Sequence, residues 1–281
     1  MEQVEFTLGD TDFERIRRRV HAAAGISLSD AKRTLVISRL SKILRRLEFP
    51  SIVAYLDYLD RDAGPEQRQD FVNALTTNLT RFYREEHHFD HLRDHVACLL
   101  ETRPRGPRLR IWSAGCSTGQ EPYSIAMSLL AAFPQLGRWD FKILATDIDT
   151  AVLAKGATGI YPATELTGLS SARAMLLEKC GEGKVRVQRD AQESVVFKPL
   201  NLMAQWPMKG PFDAIFCRNV AIYFDKATQR ELFGRFANLL APSAYLYIGH
   251  SENIGSGSAD FKLVGKTIYQ ARPGTEGRAT A

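Results

Sequence analysis

Cysteine is scarce in this chain. Four residues (Cys98, Cys116, Cys180 and Cys217) are scattered over 281 positions, and no two stand in a Cys-x-x-Cys spacing. That excludes a zinc ribbon and a disulfide framework and fits a reducing compartment. Long apolar runs are missing too: no stretch approaches the roughly 20 residues of a membrane span. The opening MEQVEFTLGD is acidic and has no apolar core, so no signal peptide is expected. Charge excess is small, 37 Lys+Arg against 32 Asp+Glu, or +5. This suits an acidic partner but is too little by itself to mark a nucleic-acid binder. Together these absences predict a cytoplasmic protein that does not insert into membranes. The hydrophobic fraction of 44% is ordinary and can build a sizeable core. The tail from Pro273 is small and polar, and disorder is expected there.

Two regions differ in pattern. Residues 1–78 read as all-helical: Phe13, Ile16 and Val20 recur at helical spacing, and Ser27–Asp30 supply a start signal for a long second helix reaching about Glu48. Two shorter helices are expected at 51–60 and 65–79. After the connector RPRGPR (103–108) the pattern becomes alternating strands and helices. Strands are expected at 109–114, 141–146, 195–199, 212–217 and 244–249, with a closing pair over 261–271. Helices are expected near 120–133, 149–155, 171–179 and 226–240. Such alternation implies a mostly parallel sheet covered on both faces. Residues 160–194 exceed an ordinary crossover, and KVRVQRDAQESVVF within them predicts a small β insertion.

The segment IWSAGCSTGQEPY (111–123) runs from a strand through a glycine-bracketed loop into a helix, and FKILATDID (141–149) follows one crossover later. This is the layout of a nucleotide-binding βαβ unit. The third glycine of a dinucleotide fingerprint and the Gly-Lys-Ser/Thr of a phosphate loop are both missing. A nucleoside ligand without pyrophosphate is therefore expected, with S-adenosylmethionine the leading candidate. Gly115 and Gly119 would let backbone approach the ligand. Glu121 could face its positive sulfonium and amino groups, or could simply be a helix-start acid favoured by the dipole. Asp147 ends the second strand, where an acid accepts ribose hydroxyls, though helix capping is an alternative that Asp149 or Thr150 could fill. Arg218-Asn219 stand at the carboxyl end of an apolar strand, with Tyr223 shortly after, and Asn201-Leu202 could frame an adenine. TTNLTRFYREEHHF (76–89) bridges the regions and reads as an amphipathic interdomain helix with Phe82 and Tyr83 partly buried.

On the second helix, Lys32, Arg39, Lys42 and Arg46 fall within an arc of roughly 80° at 100° per residue. This is a solvated face or a docking face for an acidic partner. His87, His91 and His95 repeat every four residues, and a helix lining the interdomain seam is favoured over a metal site. His250 is expected to hydrogen-bond near the cleft without a chemical role, and Trp112, Trp139 and Trp206 to serve as anchors.

NLTRFYRE, AGCSTGQEPYS, ATDID, PLNL, FCRNVAIYF and IGHSE occur in this order. Together they resemble the CheR-type chemoreceptor glutamate methyltransferases over nearly the whole chain. The resemblance implies a helical receptor-docking domain (1–78) followed by an α/β, Rossmann-like class I methyltransferase domain (79–281) with a β insertion at about 160–194. It implies S-adenosylmethionine as methyl donor and S-adenosylhomocysteine as product. It places Asn78, Thr80, Arg84, Gly115, Glu121, Asp147, Asn201, Leu202, Arg218 and Asn219 at the cofactor, and Arg84 and Tyr223 at the reacting centre. It makes Arg39, Lys42 and Arg46 the docking face for the acidic helical bundle of a chemoreceptor. Tyr83 and Ala221 depart from the family's usual phenylalanine and methionine or leucine. The loop 179–184 is shorter than in members that grip a receptor's terminal pentapeptide, so that tether is not expected.

An ordinary glutamate, with pKa about 4.3, is already ionised at neutral pH, so no general base is required. A nucleic-acid methyltransferase is set aside for lack of an Asn-Pro-Pro-Tyr-like segment and for the modest charge. A non-enzymatic cofactor sensor is set aside because Asn78, Thr80, Arg84 and Tyr223 are all present.

Overall fold

The computed structural model describes residues 6–103, 108–255 and 257–272, with the backbone alone at 171 and 172. Most of the RPRGPR connector and the tail from Pro273 therefore lie outside the described residues.

Four helices form the first lobe: α1 (Asp10–Ala24), α2 (Arg33–Arg46), α3 (Ile52–Arg61) and α4 (Pro65–Leu75). Their apolar stripes meet in one core, in which Phe13, Ile16, Leu40, Tyr55 and Phe71 are almost completely buried. Local chemistry sets the ends. Gly25 adopts φ 70° and closes α1 onto the His21 carbonyl. Ser51 Oγ accepts the Ala54 amide at 3.1 Å to start α3. The expected long second helix is divided: Asp30–Lys32 form a 3-10 turn, and α2 begins only at Arg33, without a side-chain cap.

The segment after α4 is the largest departure from the sequence reading. Thr76 is extended, with ψ 154°, and its hydroxyl lies 2.8 Å from both the Asn73 carbonyl and Asp149, which share its one proton. Tyr83 and Glu85 take left-handed φ values of 51° and 57°. No helix survives such a backbone, and α5 (His87–Thr102) starts only beyond it. Phe82 and Tyr83 are buried rather than partly exposed. Phe82 meets Tyr161 edge-on at 4.9 Å, and the Tyr83 amide donates to Ser124 Oγ at 2.9 Å. Two aromatic anchors thus pin the linker across the second lobe.

That lobe contains β1 (Arg108–Ala114), α6 (Gln120–Ala132), β2 (Asp140–Asp147), α7 (Thr150–Thr158), β3 (Ile160–Pro162), α8 (Ser171–Ala174), β4 (Leu177–Gly181), β5 (Lys184–Val187), α9 (Arg189–Glu193), β6 (Val195–Pro199), β7 (Phe212–Cys217), α10 (Lys226–Leu239), β8 (Leu240–Ile248), β9 (Phe261–Gly265) and β10 (Ile268–Ala271). The main sheet has the order β6-β2-β1-β7-β8-β10-β9. Its first five strands are parallel; β10 runs antiparallel to β8, and β9 antiparallel to β10 and so in the direction of the first five. The chain moves outward from β1 through β2 to β6, then returns to the other side of β1 with β7. The order therefore reverses between β1 and β7, and a crevice opens at their carboxyl ends. All six residues of β7 are buried, as a central parallel strand requires. The insertion is a separate antiparallel sheet, β3-β5-β4. The helix expected at 171–179 is only α8. Leu177–Gly181 form β4 instead, which turns at Glu182-Gly183 into β5, so the stretch read as a loop is a hairpin.

The lobes are joined by polar contacts. Gln69 donates to the Ile148 carbonyl at 2.8 Å, Asn201 to the Ala23 carbonyl at 2.7 Å, and the Ser27 amide to the Tyr223 carbonyl at 2.8 Å. Asp149 does most. One oxygen caps α7 by accepting from Ala151 and Val152, while the other accepts from Thr76 and Asn78.

Candidate active site

A cavity of about 340 Å³ lies at the switch point. Its floor is the glycine loop after β1 and the end of β2. One wall follows β7, and the opposite lip is the linker after α4. The size suits a nucleoside ligand.

Glycine loop geometry comes first. Gly115 has φ 86°, and a Cβ there would overlap the Val220 side chain. Its amide and that of Cys116 donate to the Thr146 carbonyl at 2.8 and 2.9 Å, which closes the loop onto β2. Asp147 completes the closure. Its oxygens accept the Ser117 amide at 2.8 Å and the Asp149 amide at 3.0 Å. Burial pushes this carboxyl above its usual range, and the backbone amides only partly oppose that.

Glu121 lies in the first turn of α6, accepts from Ser113 Oγ at 2.7 Å, and pairs with Arg218 at 3.1 Å. Burial raises its pKa although Arg218 pulls the other way. Arg218 is itself buried, sits 3.5 Å from Glu85, and donates to the Arg84 carbonyl. Glu85 in turn accepts from His250 at 2.8 Å. Burial works against the Glu85 carboxylate, but His250 and Arg218 together hold its pKa below the usual range. A chain Glu121–Arg218–Glu85–His250 therefore runs along the cavity wall. Arg84 closes the rim. Its guanidinium donates to the Leu79 carbonyl at 3.1 Å and has no carboxylate partner among the described residues.

The structure brings Asn78, Thr80, Arg84, Gly115, Glu121 and Asp147 to this one cavity, together with Asn201, Leu202, Arg218, Asn219 and Tyr223. Two of them differ from expectation in what their side chains do. Asn78 Nδ2 is engaged by Asp149 at 2.7 Å, and its carbonyl accepts from Ser117 Oγ. Asn201 is spent on the Ala23 carbonyl and the Met203 amide, so its side chain is not free to read an adenine. The docking stripe lies elsewhere and divides. Lys42 is exposed and Arg46 pairs with Asp70 at 2.7 Å. Arg39 turns inward and donates to the carbonyls of Leu75 and Thr76 at 2.9 and 2.5 Å and to Thr77 Oγ1 at 3.0 Å. It is a brace behind the cavity lip, because a long arginine can leave the face its Cα occupies. The histidines of α5 are occupied structurally: His87 with the Lys266 carbonyl, His91 with the Tyr247 hydroxyl and His95 with the Asp213 carbonyl.

Sequence reasoning missed Glu85 and Glu252. Both lie inside distinctive segments, RFYREE and IGHSE, but a charged loop residue reads as solvated until its burial is known.

Residues 78–270 match the family described as CheR methyltransferase, SAM binding domain, and residues 11–76 match CheR methyltransferase, all-alpha domain. The chain belongs to the CheR methyltransferase family. A "Probable chemotaxis protein methyltransferase" of Rhizobium etli is 46% identical over 89% of this chain and 96% of its own. The "Chemotaxis protein methyltransferase" of Escherichia coli is 46% identical over 93% and 91%. "Chemotaxis protein methyltransferase 2" of Pseudomonas aeruginosa is 45% identical over 94% of each. Among solved structures, the N-methyltransferase NodS of Bradyrhizobium japonicum covers 57% of this chain and 61% of its own at 14% identity. Its TM-score is 0.30, too loose to bear on function.

The second lobe of this CheR-family protein is a class I methyltransferase domain, and S-adenosylmethionine is its cofactor. The cavity suits that molecule. Two buried carboxyl groups, Asp147 and the Arg218-paired Glu121, line the cavity and offer acceptor oxygens to a ligand bearing an ammonium and ribose hydroxyls. Asn219 Oδ1 and Arg218 Nε are buried without hydrogen-bond partners at the wall, so polar valences remain for a ligand. No helix among the described residues is long and apolar enough to cross a membrane.

Proposed function

We propose that this protein is a cytoplasmic protein-glutamate O-methyltransferase that esterifies glutamate side chains on the helical bundle of chemoreceptors, as a step of sensory adaptation. The names of the relatives support the receptor as substrate. The observation that carries the chemistry is Arg84, a cavity-rim guanidinium with no carboxylate partner among the described residues, in the same cavity as Glu121 and Asp147.

In this reading S-adenosylmethionine supplies an electrophilic methyl group on a sulfonium. Glu121 and Asp147 hold the cofactor's positive and hydroxyl-bearing portions, with Asn219 and the glycine loop completing the seat. Thr80 and Leu202 shape its walls. Glu121 does this while neutralised on one side by Arg218, so the pair orients without presenting a full extra charge. Arg84 orients a carboxylate, of substrate or cofactor, with a fork geometry suited to either. A permanent bidentate hold on the attacking oxygen would weaken it as a nucleophile, so the role is positioning. Tyr223 presents a hydroxyl and an apolar face to the acceptor. No residue has to remove a proton, because the acceptor is already ionised. The two charges neutralise as the reaction proceeds, so a cleft that excludes water lowers the barrier. Holding the reactants in line adds several kcal/mol.

Lys42 and Arg46 form the docking face for the acidic bundle. Arg39 is not part of that face, because its guanidinium is turned to the cavity lip. Pentapeptide tethering is not part of the reading, given the short β4–β5 hairpin.

The test is mass spectrometry of receptor fragments after incubation with S-adenosylmethionine. A gain of methyl groups on glutamate side chains, reversed by mild base, is expected. Modification confined to lysine or to nucleic acid would overturn the proposal.

A further inference from the structure

At the carboxyl ends of β7 and β8 the chain leaves two adjacent parallel strands, registered as Cys217 with Ile248. Asn219 and Gly249 follow almost at once, and both departing loops border the cavity. Glu252 lies between them and is buried, at 7% exposure. Its Oε2 accepts the amides of Asn219 at 3.0 Å and Gly249 at 2.5 Å. Its Oε1 accepts those of Val220 at 3.0 Å and Ile222 at 3.2 Å. Four backbone donors therefore converge on one carboxylate and fill its acceptor capacity. The fit is tight on the other side too. A Cβ on Gly249 would come within 2.5 Å of Asn219 Nδ2 and 2.8 Å of the Asn219 amide.

What this clamp holds matters. Asn219 is in the left-handed region at φ 59°, an uncommon conformation that needs support from its surroundings. Its Oδ1 is one of the buried acceptors without a partner. Val220 packs where a Cβ on Gly115 would sit, so it also fixes the glycine loop. Ile222 leads directly into Tyr223.

We propose that Glu252, which itself does not line the cavity, is a positioning residue that sets the cofactor seat by clamping the ends of β7 and β8. It acts through Asn219 and Val220 on the cofactor side and through Ile222 on the Tyr223 side. The proposal rests on the cofactor seat described above.

The experiment titrates S-adenosylhomocysteine into purified full-length protein by calorimetry and records thermal midpoints in parallel. Three variants are compared with wild type. Glu252→Gln keeps the side-chain volume but opposes two amide donors with a third N–H group. Gly249→Ala strains the same turn from the opposite side. Asp213→Asn is the control. It alters another buried carboxylate, at the amino end of β7, which accepts from Arg103 at 2.6 Å and from the Arg110 amide at 2.9 Å, away from the cavity. We expect Glu252→Gln and Gly249→Ala to weaken the ligand at least tenfold while still folded. We expect Asp213→Asn to lower the thermal midpoint comparably with less than a twofold change in affinity. Wild-type affinity retained by Glu252→Gln, or equal weakening by Asp213→Asn, would refute the proposal. If Glu252→Gln does not fold, Gly249→Ala decides, and wild-type affinity there refutes it. Failure of wild type itself to bind would instead remove the cofactor seat on which the proposal depends.

Discussion

Replacing Arg39 with alanine separates two roles that the sequence had merged. Its guanidinium makes three hydrogen bonds, to the Leu75 and Thr76 carbonyls and to Thr77 Oγ1. All three acceptors belong to the cavity lip. A net value of about 1 kcal/mol per bond gives ~3 kcal/mol for the set. Arg39 is only half-buried, so water can replace part of this, and ~1.5–2 kcal/mol is a fairer figure. At 1.4 kcal/mol per factor of ten, a fully transmitted loss weakens cofactor binding about 10- to 30-fold. Calorimetric titration with S-adenosylhomocysteine, in the absence of receptor, is the assay. Arg39→Ala should show this weakening, Arg39→Lys a smaller one because an ammonium cannot reproduce the fork, and Lys42→Ala none. If Arg39→Ala binds the ligand within twofold of wild type and loses only receptor methylation, the brace argument is wrong and Arg39 is a docking cation.

Arg84→Ala should reduce turnover at least 100-fold with an unchanged thermal midpoint, checked by methyl transfer to receptor fragments, and near-normal activity would remove it from the reacting centre. Lys42→Glu should slow receptor methylation most at low ionic strength, with the deficit shrinking as salt rises, while S-adenosylhomocysteine affinity stays constant. His88 supplies a pH test. Burial, then the charge of Arg218, pushes its pKa down to about 3, against roughly 6.5 in an unfolded chain. Between those values the unfolded state binds the extra proton, so stability falls on acidification, by ~2 kcal/mol from pH 7 to pH 5 for this group. Denaturant unfolding of wild type and His88→Phe over that range should show a shallower slope in the variant, and parallel slopes would discount the histidine.

The parallel strands were legible because each is a short apolar run ending on a polar residue, as in FDAIFC before Arg218. The glycine loop was legible because Gly115 and Gly119 occupy positive φ, where other residues are strained. The linker was not. TTNLTRFYREEHHF has helical periodicity, but tertiary anchoring of Phe82 and Tyr83 outweighs it and forces left-handed turns. Arg39 shares its arc with Lys42, and helical geometry alone cannot tell that one side chain bends back to the lip. Of the expected β insertion, the KVRV strand was legible, but its partner β4 was read as the end of a helix, because Gly181-Glu182-Gly183 signals a turn without saying that the preceding flank pairs. Acids such as Glu252 gain their meaning from four amides distant in the chain or across a strand end.

Asp149 has a consequence for motion. Swinging the helical lobe away would strip Thr76 and Asn78 from the carboxylate whose other oxygen holds the first turn of α7. Parting the lobes and fraying that helix are therefore linked events, and neither is cheap alone. With Asn201 on the Ala23 carbonyl and the Ser27 amide on the Tyr223 carbonyl, these bonds set a cost on opening the cleft between the lobes.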